Sequence, residues 1–101
     1  MVDNPGEHRF EVRVDGAVAG FAAYRADDRA HVFTHTEIDP AYEGKGLGSV
    51  LVRGALDEMR RRGRDVLPAC PFVRRWVERH PDYLALVPAA DRDRYGLPAA
   101  G

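Results

Sequence analysis

From His8 to Val14 the apolar residues Phe10, Val12 and Val14 alternate with Arg9, Glu11 and Arg13. A period of two is that of a strand with one buried face. Asp15-Gly16 then supplies a two-residue hairpin turn. The next run, Ala17 to Arg25, is apolar on both faces, with Ala19, Phe21 and Ala23 against Val18, Ala22 and Tyr24, which predicts a central strand. Asp27-Asp28 turn the chain into a third strand, Ala30 to Ile38. Strict alternation there puts His31, Phe33, His35 and Glu37 on one face and Val32, Thr34, Thr36 and Ile38 on the other.

Beyond Gly46 the period changes. Leu47, Leu51, Ala55 and Met59, widened by Val52 and Leu56, mark a helix with a buried stripe. Asp57 with Arg61 and Glu58 with Arg62 stand at i,i+4 spacing, and Arg60-Arg61-Arg62 before Gly63 place positive charge at the helix end, where the dipole favours it. Asp65 to Cys70 reads as a short strand running into Pro71. Pro71 to His80 reads as a second helix with Phe72, Val73, Trp76 and Val77 facing inward. The ends are less patterned. Met1 to Glu7 reads as a frayed start, Asp82 to Val87 as a last strand or short closing segment, and residues 88–101 as a weakly packed tail. The order of elements predicts an α+β sandwich in one domain, 1–101, with its core at about 8–87: a mixed sheet with antiparallel N-terminal strands and two helices.

Composition narrows the function classes. A chain of 101 residues with a 45% hydrophobic share can bury one modest core. Fifteen basic residues against sixteen acidic ones give a net charge of -1, so no global field draws the chain to nucleic acid or to a membrane surface, and the arginine run is accounted for by the helix end. The single cysteine excludes an intramolecular disulfide, and the first residues lack the apolar run of a secretion signal, which makes the cytoplasm the default compartment. Histidines and cysteine occur without the paired spacing of a zinc site, so no metal is expected.

The stretch from Glu37 to Leu51 joins a strand end, a glycine-rich turn and a helix start. Gly44, Gly46 and Gly48, with Lys45 between the first two, leave successive main-chain N–H groups free to face an anion such as a diphosphate. The glycines alone equally allow a tight connection without a ligand. A P-loop is excluded, because the lysine followed by serine or threonine is missing. The glycine spacing and the hairpin-connected strands exclude a Rossmann dinucleotide site.

This layout resembles the GNAT superfamily of acyl-CoA-dependent N-acyltransferases. That family's signature is Arg or Gln, two residues, Gly, one residue, and Gly or Ala; it falls on Glu43-Gly44-Lys45-Gly46-Leu47-Gly48. A closer similarity is to its small, single-domain YjdJ-like group. It is carried by His35-Thr36-Glu37-Ile38, by Pro68-Ala69-Cys70-Pro71-Phe72 and by Glu78-Arg79-His80-Pro81-Asp82-Tyr83, and covers Phe10 to Val87. The resemblance implies acetyl-CoA as the acyl donor, with its diphosphate on the amides of Gly44, Lys45, Gly46, Leu47, Gly48 and Ser49. It implies a pantetheine arm between two splayed parallel strands, met by main-chain groups of Ile38 and Asp39 on one side and by the strand ending at Cys70 on the other. Glu43 departs from the pattern, standing where the family has a cation or an amide, and a carboxylate near a diphosphate weakens binding.

The helix pair that larger members insert after the first strand has no room at Asp15-Gly16. An open acceptor side results, suited to a lysine or an N-terminus on a protein or peptide. Within this reading Glu37 is the candidate base, with His35 or a water relaying the proton. Cys70, at the cap of the Pro71 helix, is an acid or hydrogen-bond partner near the thioester, or a nucleophile. The plain alternatives are an exposed strand pair for Glu37 and His35 and a small buried apolar residue for Cys70. Direct attack of the amine on acetyl-CoA is the favoured route. The competing function is a CoA-binding or protein-interaction module without turnover, and the expected assembly is a monomer or weak homodimer.

Overall fold

Phe10, Val12, Ala22, Tyr24 and Phe33 project from one face of a sheet into a core completed by Leu51, Val52, Ala55, Leu56 and Met59. The computed structural model describes residues 1–98. Its five strands are β1 (Val2–Asn4), β2 (Arg9–Val14), β3 (Ala17–Ala26), β4 (Ala30–Ile38) and β5 (Asp65–Pro68), ordered as numbered. All neighbours are antiparallel except β4 and β5, which are parallel. The crossover between them is α1 (Leu47–Arg62), and β5 leads into α2 (Pro71–Arg79), which packs beside α1. The result is the mixed-sheet α+β sandwich that the hydrophobic pattern implies. The β2–β3 hairpin turns at Asp15 and Gly16, both at positive φ, with nothing inserted between the strands.

A β-bulge redirects β4. Ala23 of β3 pairs with His35 and Tyr24 with Phe33, so Thr34 is the extra residue. Because the side-chain period is two, one extra residue exchanges the faces beyond it. His31 and Phe33 lie on the core side, whereas His35 and Glu37 lie on the opposite, solvent-facing side, and Thr36 and Ile38 turn toward the helices. The single-face assignment of His31, Phe33, His35 and Glu37 is thereby corrected.

Expectations at the two ends of the chain change as well. The first residues are not frayed: β1 pairs with β2, and the Asp3 carboxylate accepts from the Tyr24 hydroxyl at 2.8 Å and pairs with Arg62 at 2.9 Å. Of the two alternatives for the next stretch, the short closing segment holds and the strand does not, since Pro81–Leu86 form a 3-10 helix. The segment read as a weakly packed tail forms a short helix, α3 (Ala89–Arg92), and buries Leu97 and Arg92. The Arg92 guanidinium donates to the carbonyls of Val87 at 3.0 Å and Leu84 at 2.9 Å, so the loop carbonyls buried there are satisfied. The part of that expectation on residues 99–101 lies outside the described residues. Phe72 also differs, since it is 40% exposed instead of facing inward.

Two ionisable groups tie the sheet together. On the open face Glu11, 1% exposed, lies under Arg13 and Arg9, and their hydrogen bonds hold its carboxyl at about 2. On the core side the His31 ring packs at a tilt against Tyr24, centroids 4.6 Å apart, and accepts from Arg64 at 3.2 Å. Burial, and then the Arg64 charge, push its pKa down, so it stays neutral. Both folded-state values lie below the unfolded ones, so both contributions are complete at higher pH and are lost as pH falls. Stability should decline first as pH drops below the ordinary histidine value of 6.5 and again from about 4.5 toward 2. Denaturant unfolding across this range should lose the first decline in His31→Phe. Glu11→Gln should flatten the second and cost about 1–2 kcal/mol at neutral pH.

Candidate functional site

The ladder between β4 and β5 ends at Phe33 and Pro68, and the Cys70 N–H closes it by donating to the Phe33 carbonyl at 2.7 Å. Beyond that point β4 continues to Ile38 without β5, so the two parallel strands fork. A 3-10 turn, Pro40–Tyr42, follows, its start capped by the Asp39 carboxylate, which accepts from the Ala41 N–H at 2.9 Å. Gly44 at φ 80 and Gly46 at φ 72 then bend the chain into α1 through a backbone region that disfavours residues with a Cβ. No side chain caps α1. Its first hydrogen bond is from the Val50 N–H to the Gly46 carbonyl at 3.2 Å, and among the described residues the N–H groups of Gly44 through Ser49 have no acceptor in the protein. Of these residues Gly44, Gly46, Leu47, Gly48 and Ser49 line a groove of about 420 Å³ whose other walls are Thr36, Ile38, Tyr42, Glu43 and Phe72. At its floor α1 and α2 meet closely: a Cβ on Gly48 would sit 2.6 Å from the Phe72 ring.

The structure separates the residues singled out from sequence into two groups. Gly44, Gly46, Leu47, Gly48, Ser49, Ile38 and Glu43 line the groove, and the Glu43 side chain is exposed on its wall. Lys45 is exposed, its ammonium 5.7 Å from the centre of the Tyr42 ring. Asp39 does not offer free main-chain groups, because its N–H donates to Ala19 at 2.7 Å and its carbonyl accepts from Tyr42 at 2.8 Å. Its side chain caps the 3-10 turn, and it lines a different cavity. His35 and Glu37 come together, Nε2 to Oε2 at 3.4 Å, and each is 60% exposed. Placed on the open face by the bulge, Glu37 borders that second cavity, of about 290 Å³, with Arg9 and Phe21. Ile38 borders both, so the groove and the acid–base pair flank the same strand end.

Cys70 is buried and is not a wall of the groove. Its Sγ lies 3.4 Å from the Thr36 Oγ1, and Thr36 does line the groove. The thiol therefore reaches the site only through this hydroxyl. Thr36 is a site residue the sequence reading passed over, although it stands inside the His35-Thr36-Glu37-Ile38 segment. Trp76 is another. Read as core, it also donates its indole N–H to the Ser49 Oγ at 3.0 Å, while His80 stacks on the indole at 3.8 Å and donates its Nδ1–H to the Trp76 carbonyl at 2.7 Å. Together with Tyr83, whose hydroxyl donates to Asp57 on α1 at 2.7 Å, these groups pin α2 to the first turn of α1. Among the described residues no group of three or more His, Cys, Asp or Glu is placed to hold a metal ion, and no helix is long and apolar enough to cross a membrane.

Parallel strands that fork beside a glycine-rich turn at a helix start are the arrangement of a GNAT-type fold. The sequence pattern of the GCN5-related N-acetyl-transferase family matches residues 9–87, and the chain belongs to that family. It is 44% identical over 54 residues to streptothricin acetyltransferase of Streptomyces lavendulae, a match covering 52% of this chain and 29% of that protein. The crystal structure of ribosomal-protein-alanine N-acetyltransferase from Brucella melitensis biovar Abortus 2308 shares the fold, with a TM-score of 0.52 and 22% identity over 90% of this chain and 60% of that one. The chain thus spans under a third of the first relative and under two thirds of the second.

The strained entry to α1 generates a stability prediction. Gly46→Ala places a Cβ at φ 72 and should cost about 1–2 kcal/mol in denaturant unfolding. Gly48→Ala, which meets only the tip of a half-exposed ring, should cost less than Gly46→Ala while narrowing the groove.

Proposed function

We propose that this chain transfers an acetyl group from acetyl-CoA to a primary amine on a protein or peptide, a lysine or an N-terminus. The observation that carries the reading is the row of unpaired N–H groups from Gly44 to Ser49, all but Lys45 in residues that line the groove, since such a row at a helix start suits a diphosphate. The groove walls fit the remainder of the ligand. Ile38, Leu47 and Phe72 supply apolar surface, and the Thr36 hydroxyl is a polar group toward the fork. Family membership supports the same chemistry, and the Pro68 to Phe72 and Glu78 to Tyr83 segments support a place in the small YjdJ-like group.

The reaction divides across the strand end. Glu37 takes the proton of the incoming ammonium from the open face, with His35 at 3.4 Å able to pass it on. The freed amine forms the new C–N bond at the thioester carbon, the C–S bond then breaks, and the second proton shed by the nitrogen neutralises the departing sulfur. Thr36 stabilises the departing thiolate: its Oγ1 accepts from the Cys70 thiol, which leaves its own O–H to donate into the groove. Cys70 acts as a positioning residue, and its burial disfavours an acetyl-cysteine intermediate. The open face of the sheet, with no helix pair between β2 and β3, favours an acceptor carried on a larger surface.

Glu43 is the one groove residue that does not fit a polyanion, and it favours the second reading, a domain that holds CoA without turnover. Calorimetry with acetyl-CoA and CoA tests both. Saturable binding is expected, and a flat titration to millimolar ligand rejects them together. Glu43→Gln should tighten binding about fivefold, as expected for a solvent-screened repulsion. Release of CoA in the presence of lysine-bearing peptides then separates enzyme from module. Glu37→Gln should lower kcat about a hundredfold, and Thr36→Val by about tenfold, whereas Cys70→Ala should leave most turnover intact. If Cys70→Ala abolishes turnover and Glu37→Gln does not, the proton path given above is wrong.

A further inference from the structure

The groove does not stop at Ser49. Ser49 and Phe72 also border another cavity, of about 290 Å³, whose remaining walls are Arg75, Trp76, Arg79 and His80. Phe72, Arg75, Trp76 and Arg79 follow one another at helical spacing, so α2 presents them as a single stripe beside the start of α1. No carboxylate lines this cavity. Arg75 and Arg79 are exposed, and neither makes an ion pair among the described residues. Trp76 is already occupied, with its N–H on Ser49 and its ring against His80. Phe72, 40% exposed at the junction of the two cavities, is the ring that remains available.

Two guanidinium groups one turn apart, next to a free aromatic face, suit a phosphate monoester attached to a planar base. A diphosphate on the amides of Gly44 to Ser49 has two ends. One would run along Thr36 and Ile38 to the fork, and the other would leave past Ser49 and Phe72, which border both cavities. In CoA that second end is an adenosine bearing a 3′-phosphate. We propose that Arg75 and Arg79 bind the 3′-phosphate of CoA, with Phe72 against the adenine, so that this chain distinguishes CoA from 3′-dephospho-CoA. The proposal rests on the acetyl-CoA reading given above. It also accounts for how a groove carrying Glu43 retains a polyanion, since the cationic pair lies at the far end of the same ligand.

The test is calorimetry of the unmodified protein with CoA and with 3′-dephospho-CoA, repeated on the double variant Arg75→Ala/Arg79→Ala. CoA should bind the unmodified protein about tenfold more tightly than 3′-dephospho-CoA. The double variant should lose that preference through weaker CoA binding alone, and Arg75→Lys/Arg79→Lys should restore part of it. Both positions are exposed, so the variants are expected to keep the far-UV spectrum and melting temperature of the parent. Equal affinity of the unmodified protein for the two ligands overturns the proposal and leaves the acetyl-CoA reading standing. A preference that survives in the alanine variant overturns the assignment to these arginines. Absence of binding by either ligand overturns both.

Discussion

An N–H group in the first turn of a helix has no partner within that helix, and the protein must satisfy it, expose it or give it to something else. Among the described residues the row from Gly44 to Ser49 is left without an acceptor as a group. Glycines at positive φ set its curvature, and Gly46, at the cap position of α1, has no side chain with which to satisfy it. The surrounding structure preserves that opening. Trp76 fixes Ser49, His80 and Tyr83 fix Trp76 and α2 against α1, and the Phe72 ring rests on Gly48. The proposed diphosphate binding depends on those donors remaining available.

A second constraint is the bulge at Thr34. It releases β4 from strict alternation just where β5 leaves it, which allows one short strand segment to serve two surfaces. Thr36 and Ile38 belong to the groove, His35 and Glu37 to the open sheet face. Without the extra residue the acid–base pair would point into the space occupied by the helices. Nothing in the run from Ala30 to Ile38 announces the bulge, because its polar and β-branched residues suit either face. A strict period of two was therefore the natural reading and the wrong one.

Elements whose periodicity reports burial were legible from sequence: β2, β3, β4, α1, β5 and α2 fall where the apolar pattern puts them. The glycine turn was legible for a different reason, since few backbone tasks require three small residues so closely spaced. Segments held by single polar contacts escaped. Asp3 anchors β1 through Tyr24 and Arg62, and Arg92 anchors the C-terminal segment through two carbonyls, yet both are ordinary charged residues in polar surroundings when read in sequence. Thr36 and the second role of Trp76 were missed on similar grounds. Their importance comes from the residue across the fold, Cys70 in one case and Ser49 in the other.

The two-sided strand end has a consequence for the order of events. In the proposed reaction the acyl donor lies along the helical side and the acceptor arrives on the bare side, so neither has to cross the other's route in or out. Such a layout has no built-in sequence of loading or departure. Traffic through each side is governed by its own concentration, and a bulky acceptor can dock while spent thiol is still draining away behind the sheet.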